Sequence, residues 1–122
     1  MFTKSKTFIN SLVFASAALF VGLSTADEGT LQLAQTSDGF NAEQKYMASC
    51  FACHSTGAAN APKVEAGVYA DQWAERMEKG MDAVMQNVIN GMGAMPAKGL
   101  CFDCTDADLR ALVDYMVESS QS

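Results

Sequence analysis

Residues 50–54 are Cys50-Phe51-Ala52-Cys53-His54, two cysteines separated by two residues and followed directly by a histidine. This is the attachment pattern of a c-type haem. The two thiols add across the two vinyl groups of the porphyrin, and the next residue is placed under the iron, where an imidazole nitrogen can bind it. His54 is the only histidine in 122 residues, and it stands at the one position that the pattern requires. The sequence therefore predicts one covalently bound haem c.

Two other interpretations of the cysteines are open at this point. The chain has 4 cysteines, and Cys101 and Cys104 repeat the spacing of the first pair. Four cysteines in two such pairs can bind a structural zinc. The two pairs are much farther apart in the sequence than in a zinc ribbon, however, and zinc would leave His54 without a role. A disulfide between Cys50 and Cys53 is the remaining alternative.

The second axial ligand of the iron must come from another residue type, because the chain has one histidine. Methionine sulfur is the strong candidate. Met92 and Met95 lie in the glycine-rich segment 91–99, where Pro96 stiffens the backbone and the glycines allow close approach to a flat group. The other methionines lie at helical spacings typical of core packing: Met47, Met77, Met81, Met85 and Met116. The residues favour Met95, with Met92 or an open position as alternatives.

The N-terminal residues have the pattern of a secretory signal peptide. Lys4 and Lys6 precede a mostly apolar stretch over residues 8–23, and small residues follow it up to Ala26. The stretch is short for a membrane span. We therefore predict a signal peptide at 1–26, a flexible lead at 27–38 and a domain at 39–122, exported to the periplasm with no stable membrane span once the signal is cleaved. An uncleaved anchor is the alternative.

Length and charge limit the function further. A chain of 122 residues forms one domain. Its net charge of -6 predicts no binding to nucleic acid, because the phosphate backbone repels an acidic protein. The acidic residues are scattered along predicted helices, so we interpret them as solvated faces rather than as a hydrolytic pair.

Helical periodicity and capping residues predict an all-α domain. Asn41 caps a first helix that ends near Cys50. Further helices are predicted over Asp71–Lys79 and Met81–Asn90, and Thr105 begins the last one. The buried face of that last helix is predicted from its spacing: Leu109, Leu112, Val113, Met116 and Val117. The segments between the helices are predicted loops.

These motifs together resemble the class I c-type cytochromes, most closely the bacterial cytochrome c₅ family, over residues 39–118. The resemblance rests on residues 50–54, Gly57 to Lys63, Trp73, Lys79-Gly80-Met81-Asp82, Asn90-Gly91, Ala94 to Gly99, Cys101-x-x-Cys104 and Tyr115-Met116. It implies a small single-domain fold whose helices wrap around one covalently attached haem. It also implies that Met95 is the axial ligand with His54, and that Cys101 and Cys104 form a disulfide. Ala97 departs from the family, which often has a second proline there, and this loosens the loop without removing the ligand.

Supporting contacts around the haem are also expected, of which the resemblance implies the one from Pro62. The Pro62 carbonyl is expected to accept a hydrogen bond from the far nitrogen of His54 and so to orient the ring. Trp73 is expected to line the haem pocket or donate to a propionate, with plain core packing as the alternative. Three cations are candidates for the propionates, with ordinary surface positions as the alternative: Arg76, Lys63 and Lys98.

Ligation by His54 and Met95 would leave no vacant position on the iron. The expected activity is therefore reversible transfer of single electrons between redox partner proteins, with no enzymatic step. Contacts of this kind are small and transient, and a weak homodimer through the haem edge is compatible with them. The alternative is a haem enzyme or gas sensor in which the sixth coordination position is open or easily displaced.

Overall fold

Five α-helices joined by π-helical and 3₁₀ turns form residues 35–122, the part of the chain that a computed structural model describes. The α-helices are α1 (Ala42–Lys45), α2 (Phe51–His54), α3 (Ala74–Glu78), α4 (Met81–Asn90) and α5 (Asp106–Gln121). The π-helical turns are Tyr46–Cys50 and Tyr69–Trp73, and the 3₁₀ turns are Ala58–Asn60 and Ala97–Leu100. Residues 35–122 contain no β-strand, and the predicted all-α fold is confirmed. The predicted signal peptide lies outside the described residues.

The first helical run passes from α1 through a π-helical turn into α2 without a break. The Phe51 N–H donates to the Tyr46 carbonyl, five residues back, which widens the helix at that turn. In an α-helix, residues four apart drift by about 40° around the axis. The wider turn offsets this drift, and Tyr46, Cys50 and His54 are all buried. Cys50 and His54, both of the predicted haem-attachment motif, are therefore held on the buried face of one helical run.

Side chains cap the first and last helices as the sequence predicts. The Asn41 side chain accepts a hydrogen bond from the Gln44 N–H at 2.9 Å. At the start of α5, Thr105 and Asp108 form a reciprocal capping box. The inner face of α5 consists of Leu109, Leu112, Val113 and Met116, all buried, whereas Val117 is half-buried. These caps fix where the two helices begin, and so which faces they turn inward.

The core forms where α1, α4 and the π-helical turn Tyr69–Trp73 pack against α5. The Tyr46 ring lies 5.5 Å from the Tyr115 ring between centroids, at an angle of 51°. Val84 and Val88, one turn apart on α4, are buried in the same cluster. Burial of each such side chain contributes about 1.5–3 kcal/mol. The long helix α5 is thus the element against which most of the core packs.

Two predicted features are wrong in detail. The helical segment predicted from Asp71 begins at Tyr69, because the Val68 carbonyl accepts from the N–H groups of both Asp71 and Gln72. Tyr69 also packs against the core, so packing rather than a cap sets the start. Met47, predicted in the core, is 55% exposed. The π-helical turn instead directs Tyr46 and Cys50, one position before and three positions after Met47, inward.

One acidic residue is buried, contrary to the prediction that all acids lie on solvated faces. Asp108 is 1% exposed. Its carboxylate accepts from the Ser37 N–H at 2.8 Å and from the Ser37 hydroxyl at 2.7 Å. Ser37 is therefore tied to the start of α5, and the lead predicted to be flexible through residue 38 does not include it. Most of that lead lies outside the described residues.

Candidate functional site

An apolar cleft of about 330 Å³ lies between α2, α5 and the loop that follows α4. The residues predicted to hold the haem come together along it: Cys50, Cys53, His54, Pro62 and Met95. Its volume falls in the range of pockets that bury small cofactors. The α5 residues at its base are Leu109, Leu112 and Met116. The cleft can therefore enclose a flat apolar group against a wall that excludes water.

His54 is buried and held in one orientation. Its Nδ1 lies 2.8 Å from the Pro62 carbonyl oxygen. A carbonyl can only accept, so Nδ1 carries the proton and Nε2 keeps its lone pair. Burial lowers the pKa of His54 and the positive charge of Arg76 lowers it further, while the hydrogen bond to Pro62 acts in the opposite direction. Nε2 is thus left with a lone pair that could bind a metal, and the expected contact between His54 and the Pro62 carbonyl is present.

Cys50 and Cys53 are free thiols that differ in their exposure to solvent. Cys50 is buried and Cys53 is exposed. Burial raises the pKa of Cys50 to about 11, so this thiol stays protonated near neutral pH. No disulfide joins the two within the described structure, and both side chains line the cleft. Two thiols, an imidazole and a thioether along one apolar wall are the donor set that a haem c requires.

The methionine loop is closed by backbone hydrogen bonds. Met92 and Met95 each donate their N–H to the other's carbonyl at 3.0 Å. Gly91 has φ +82°, and a Cβ there would lie 2.8 Å from the Met95 carbonyl oxygen. A Cβ on Gly99 would lie 3.8 Å from both the Met95 methyl carbon and the Cys50 sulfur. Met95 therefore extends towards Cys50, whereas Met92 lines the same cleft but is 56% exposed.

A buried disulfide joins Cys101 and Cys104 immediately after this loop, with their Cα atoms 5.4 Å apart. Because each sulfur is bonded to the other, a zinc site of four cysteines is not formed. The Lys98 ammonium donates to the Cys104 carbonyl at 2.9 Å, so this cation is used to hold the loop. The disulfide and Lys98 together brace the segment that carries Met95.

Trp73 is buried beside His54, and its indole N–H is not available to donate to a haem propionate. Its indole N–H donates to the Lys63 carbonyl at 2.7 Å. The Trp73 and His54 rings are stacked, with centroids 6.2 Å apart and planes at 24°. Trp73 also lines a smaller cavity of about 80 Å³ that shares residues with the cleft. Of the cations, Arg76 lines both cavities, and Lys63 forms a surface ion pair with Glu65 at 2.7 Å.

Comparisons with known proteins show the family of this chain. A family model described as cytochrome c oxidase, cbb3-type, subunit III matches residues 39–116. Cytochrome c5 of Azotobacter vinelandii is 41% identical over 69 residues, or 55% of this chain and 80% of that protein. Cytochrome c-555 of Chlorobaculum tepidum is 40% identical over 112 residues, or 88% of this chain and 97% of that protein. The chain belongs to the class I c-type cytochromes.

Solved structures place the fold in the same class. A mono-heme ferrocytochrome c from Shewanella putrefaciens matches with a TM-score of 0.54 and 41% identity, covering 62% of this chain and 90% of that one. A chain of an electron transfer complex of nitrite reductase with cytochrome c matches with a TM-score of 0.58 and 38% identity, covering 66% and 94%. This cytochrome is therefore an electron-transfer protein with one covalently bound haem c, and not an enzyme.

Sequence reasoning missed two polar residues of the cytochrome that support His54. The Gln72 side chain accepts from the Lys63 N–H at 2.7 Å, and the buried Ser120 hydroxyl lies 3.4 Å from the Lys63 carbonyl. Both contacts depend on the course of the loop that follows α2. No motif in the sequence marks them, because Gln72 and Ser120 are common helix residues whose partner is a backbone group elsewhere.

Proposed function

We propose that the protein is a periplasmic carrier of single electrons in which His54 and Met95 are the two axial ligands of the haem iron. The observation that supports this most directly is that the chain's only histidine and Met95 line one apolar cleft together with two free thiols. His54 comes from α2 and Met95 from the loop after α4, so two separate segments bring the ligands to the cleft.

Each residue has a distinct task in this proposal. When bound, haem iron supplies a one-electron couple between Fe(II) and Fe(III). Cys50 and Cys53 anchor the group, His54 offers a neutral nitrogen fixed by Pro62, and Met95 offers a weak sulfur donor that favours Fe(II). The apolar wall from α5 excludes water and favours the less charged state further. No side chain has to move a proton, which fits a carrier better than a catalyst.

The proposed location depends on residues 1–26 acting as a cleaved signal peptide. Their charge and hydropathy have the pattern of such a signal, and covalent attachment of haem c takes place outside the cytoplasm. Within the described residues, no helix combines the length and hydropathy needed to span a membrane. We propose residues 39–122 as the exported cytochrome domain, which contains the whole cleft.

The proposed partners are other redox proteins. A structural neighbour was solved in complex with nitrite reductase, which is an example of such a partner for that cytochrome. The acidic net charge of this chain favours partners with basic or neutral docking surfaces. A weak homodimer through the haem edge stays a prediction.

Visible absorption of the haem-loaded protein tests the ligands. We expect a low-spin spectrum with a sharp α-band on reduction, and a weak far-red band in the oxidised form from the bond between iron and methionine sulfur. Met95→Ala removes the far-red band, whereas the matched variant Met92→Ala keeps it. Loss of the band in Met92→Ala instead would assign the ligand to Met92. A high-spin spectrum of the wild type would favour an open sixth position, as in a haem enzyme or gas sensor.

A further inference from the structure

The peptide group between Pro62 and Lys63 is hydrogen-bonded on both sides to functional elements. Its carbonyl oxygen, from Pro62, accepts the His54 Nδ1 proton at 2.8 Å. Its N–H, from Lys63, donates to the Gln72 side-chain oxygen at 2.7 Å. One peptide group thus connects a side-chain amide on the π-helical turn before α3 with the imidazole of His54.

The surrounding contacts hold this peptide group in place. The next carbonyl, that of Lys63, accepts from the Trp73 indole at 2.7 Å and lies 3.4 Å from the Ser120 hydroxyl. The Val64 N–H donates to the His54 carbonyl at 2.7 Å. Removing the Gln72 side chain would therefore leave three hydrogen bonds that still fix the loop against His54, so its effect on the peptide can be separated from its effect on the fold.

Arg76 in turn holds Gln72. Its guanidinium donates to the Gln72 carbonyl, one turn back along the helix, and Arg76 also lines both cavities. Gln72 is half-buried beside the fully packed Trp73. Arg76 therefore holds the Gln72 backbone, and the Lys63 N–H holds the Gln72 side-chain oxygen.

Hydrogen bonds in a chain polarise one another in a low-dielectric interior. An acceptor at the N–H of a peptide group draws that proton outward and makes the carbonyl oxygen of the same group more negative. A more negative carbonyl oxygen pulls harder on the His54 Nδ1 proton and leaves Nε2 a stronger electron donor. A stronger donor stabilises Fe(III) relative to Fe(II), since contacts beyond the direct ligands tune ligand basicity.

We propose that Gln72 is a positioning residue that lowers the reduction potential of the protein by acting on His54 through the Pro62–Lys63 peptide group. The proposal rests on the proposed function, in which His54 binds the iron. An uncharged side chain that does not touch the iron would thus help to set the potential of the Fe(III)/Fe(II) couple.

The test is a pair of substitutions whose effects must have opposite signs. Gln72→Met keeps the length but removes the acceptor, so the potential should become more positive. Gln72→Glu supplies a stronger, charged acceptor, so the potential should become more negative. At a fixed applied potential, each change should alter the ratio of reduced to oxidised protein by about 2- to 10-fold, the effect of one neutral hydrogen bond. A purely structural role would shift both variants in the same direction.

Asp71→Asn is the matched control for charge, because it alters one negative charge on the exposed neighbouring residue without touching Lys63. Its shift measures the through-space effect, and the Gln72→Glu shift should exceed it. In the reduced protein, the proton on His54 Nδ1 should also move upfield in the NMR spectrum of Gln72→Met, as its hydrogen bond weakens, and downfield in Gln72→Glu.

The outcomes separate this inference from the proposed function. Intact low-spin spectra with no shift, or with shifts of one sign, overturn the role of Gln72 and leave the carrier proposal standing. A shift in Gln72→Glu no larger than that of the control overturns it as well. A wild-type spectrum without histidine-bound low-spin iron overturns the proposed function and this inference with it. If Gln72→Met fails to mature with haem, Gln72→Glu and Asp71→Asn decide the question.

Discussion

Asp108 shows how a carboxylate can be buried without losing its charge. Its oxygens accept from the backbone and hydroxyl of Ser37 and from the Thr105 N–H, the last at 2.9 Å. Burial alone would raise the pKa of Asp108, but these hydrogen bonds outweigh it and lower the pKa to about 2. The charged form is thus preferred in the folded state, and the contacts join the start of the domain to its last helix.

The depressed pKa of Asp108 gives a prediction for stability against pH. The group stabilises the fold above its ordinary pKa of 3.8, and this contribution is lost as pH falls towards about 2. Asp108→Asn should lower the free energy of unfolding by at most about 2 kcal/mol at pH 7, with a smaller difference from wild type at pH 3. Urea unfolding at the two pH values measures this. Asp106→Asn, in the same turn but exposed, is the control, and equal pH dependence in both variants would contradict the assignment.

At this scale the sequence predicted the haem c cofactor and missed the supporting contacts. Cys50, Cys53 and His54 lie within five residues of the chain, so the roles proposed for them follow from local spacing alone. The partner of Asp108 is 71 residues away, and the Gln72 contact depends on the path of a loop. Side chains that bond distant backbone groups carry no periodic signal, and this is why they could not be foreseen.

The methionine loop supplies the prediction at the scale of an element. Gly91 has a backbone conformation that side chains rarely adopt, and an added Cβ would lie 2.8 Å from the Met95 carbonyl oxygen and 2.9 Å from the Ala97 nitrogen. These are backbone atoms, so the loop itself would have to move. Gly91→Ala should therefore displace Met95, abolish the far-red band and lower the free energy of unfolding by about 2 kcal/mol or more.

Gly93→Ala is the matched control for this loop. Gly93 also has a positive φ of +61°, but nothing lies within 4 Å of an added Cβ. Its cost should be the left-handed conformation alone, about 1 kcal/mol, with the far-red band retained. Absorption spectra and urea unfolding of the two variants measure both effects. A far-red band that survives in Gly91→Ala would show that the loop can shift without moving the sulfur.

Elements with a regular apolar face were the ones the sequence predicted well. The boundaries of α4 and the inner face of α5 follow from periodicity and caps. The two π-helical turns were not predicted, because the spacing of their apolar residues resembles that of an α-helix. They arise where packing selects the inner face, as at Tyr46 and Cys50, and local propensity gives no sign of them.

For the whole molecule, the all-α fold followed from helical periodicity and caps, and the family followed from a resemblance that several motifs carry over residues 39–118. Charge distribution is harder to predict, since it depends on where each residue lies. The chain carries -6 overall, yet among residues 35–122 the cleft is lined by two cations, Arg76 and Lys98, and by no acidic side chain. The protein side chains around the cleft are therefore weakly basic, whereas the rest of the domain is acidic.

Ionic strength decides which of these two fields an approaching oxidant responds to. The Debye length is about 30 Å at 0.01 M salt, which is long enough for the whole domain's charge to act, and about 10 Å at 0.1 M, where nearby groups dominate. A cationic ruthenium complex should therefore oxidise the reduced protein faster at 0.01 M salt than at higher salt, by on the order of tenfold. Ferricyanide, an anion, should show the opposite salt dependence. Stopped-flow oxidation from 0.01 to 0.5 M salt measures both rates. Each reagent is compared only with itself at different salt concentrations, so the difference in reduction potential between the two reagents does not affect the result.

The contradicting outcome is an oxidation by ferricyanide that also becomes faster as salt is removed. The local field of Arg76 and Lys98 would then outweigh the net charge, and partners with acidic docking surfaces would be favoured.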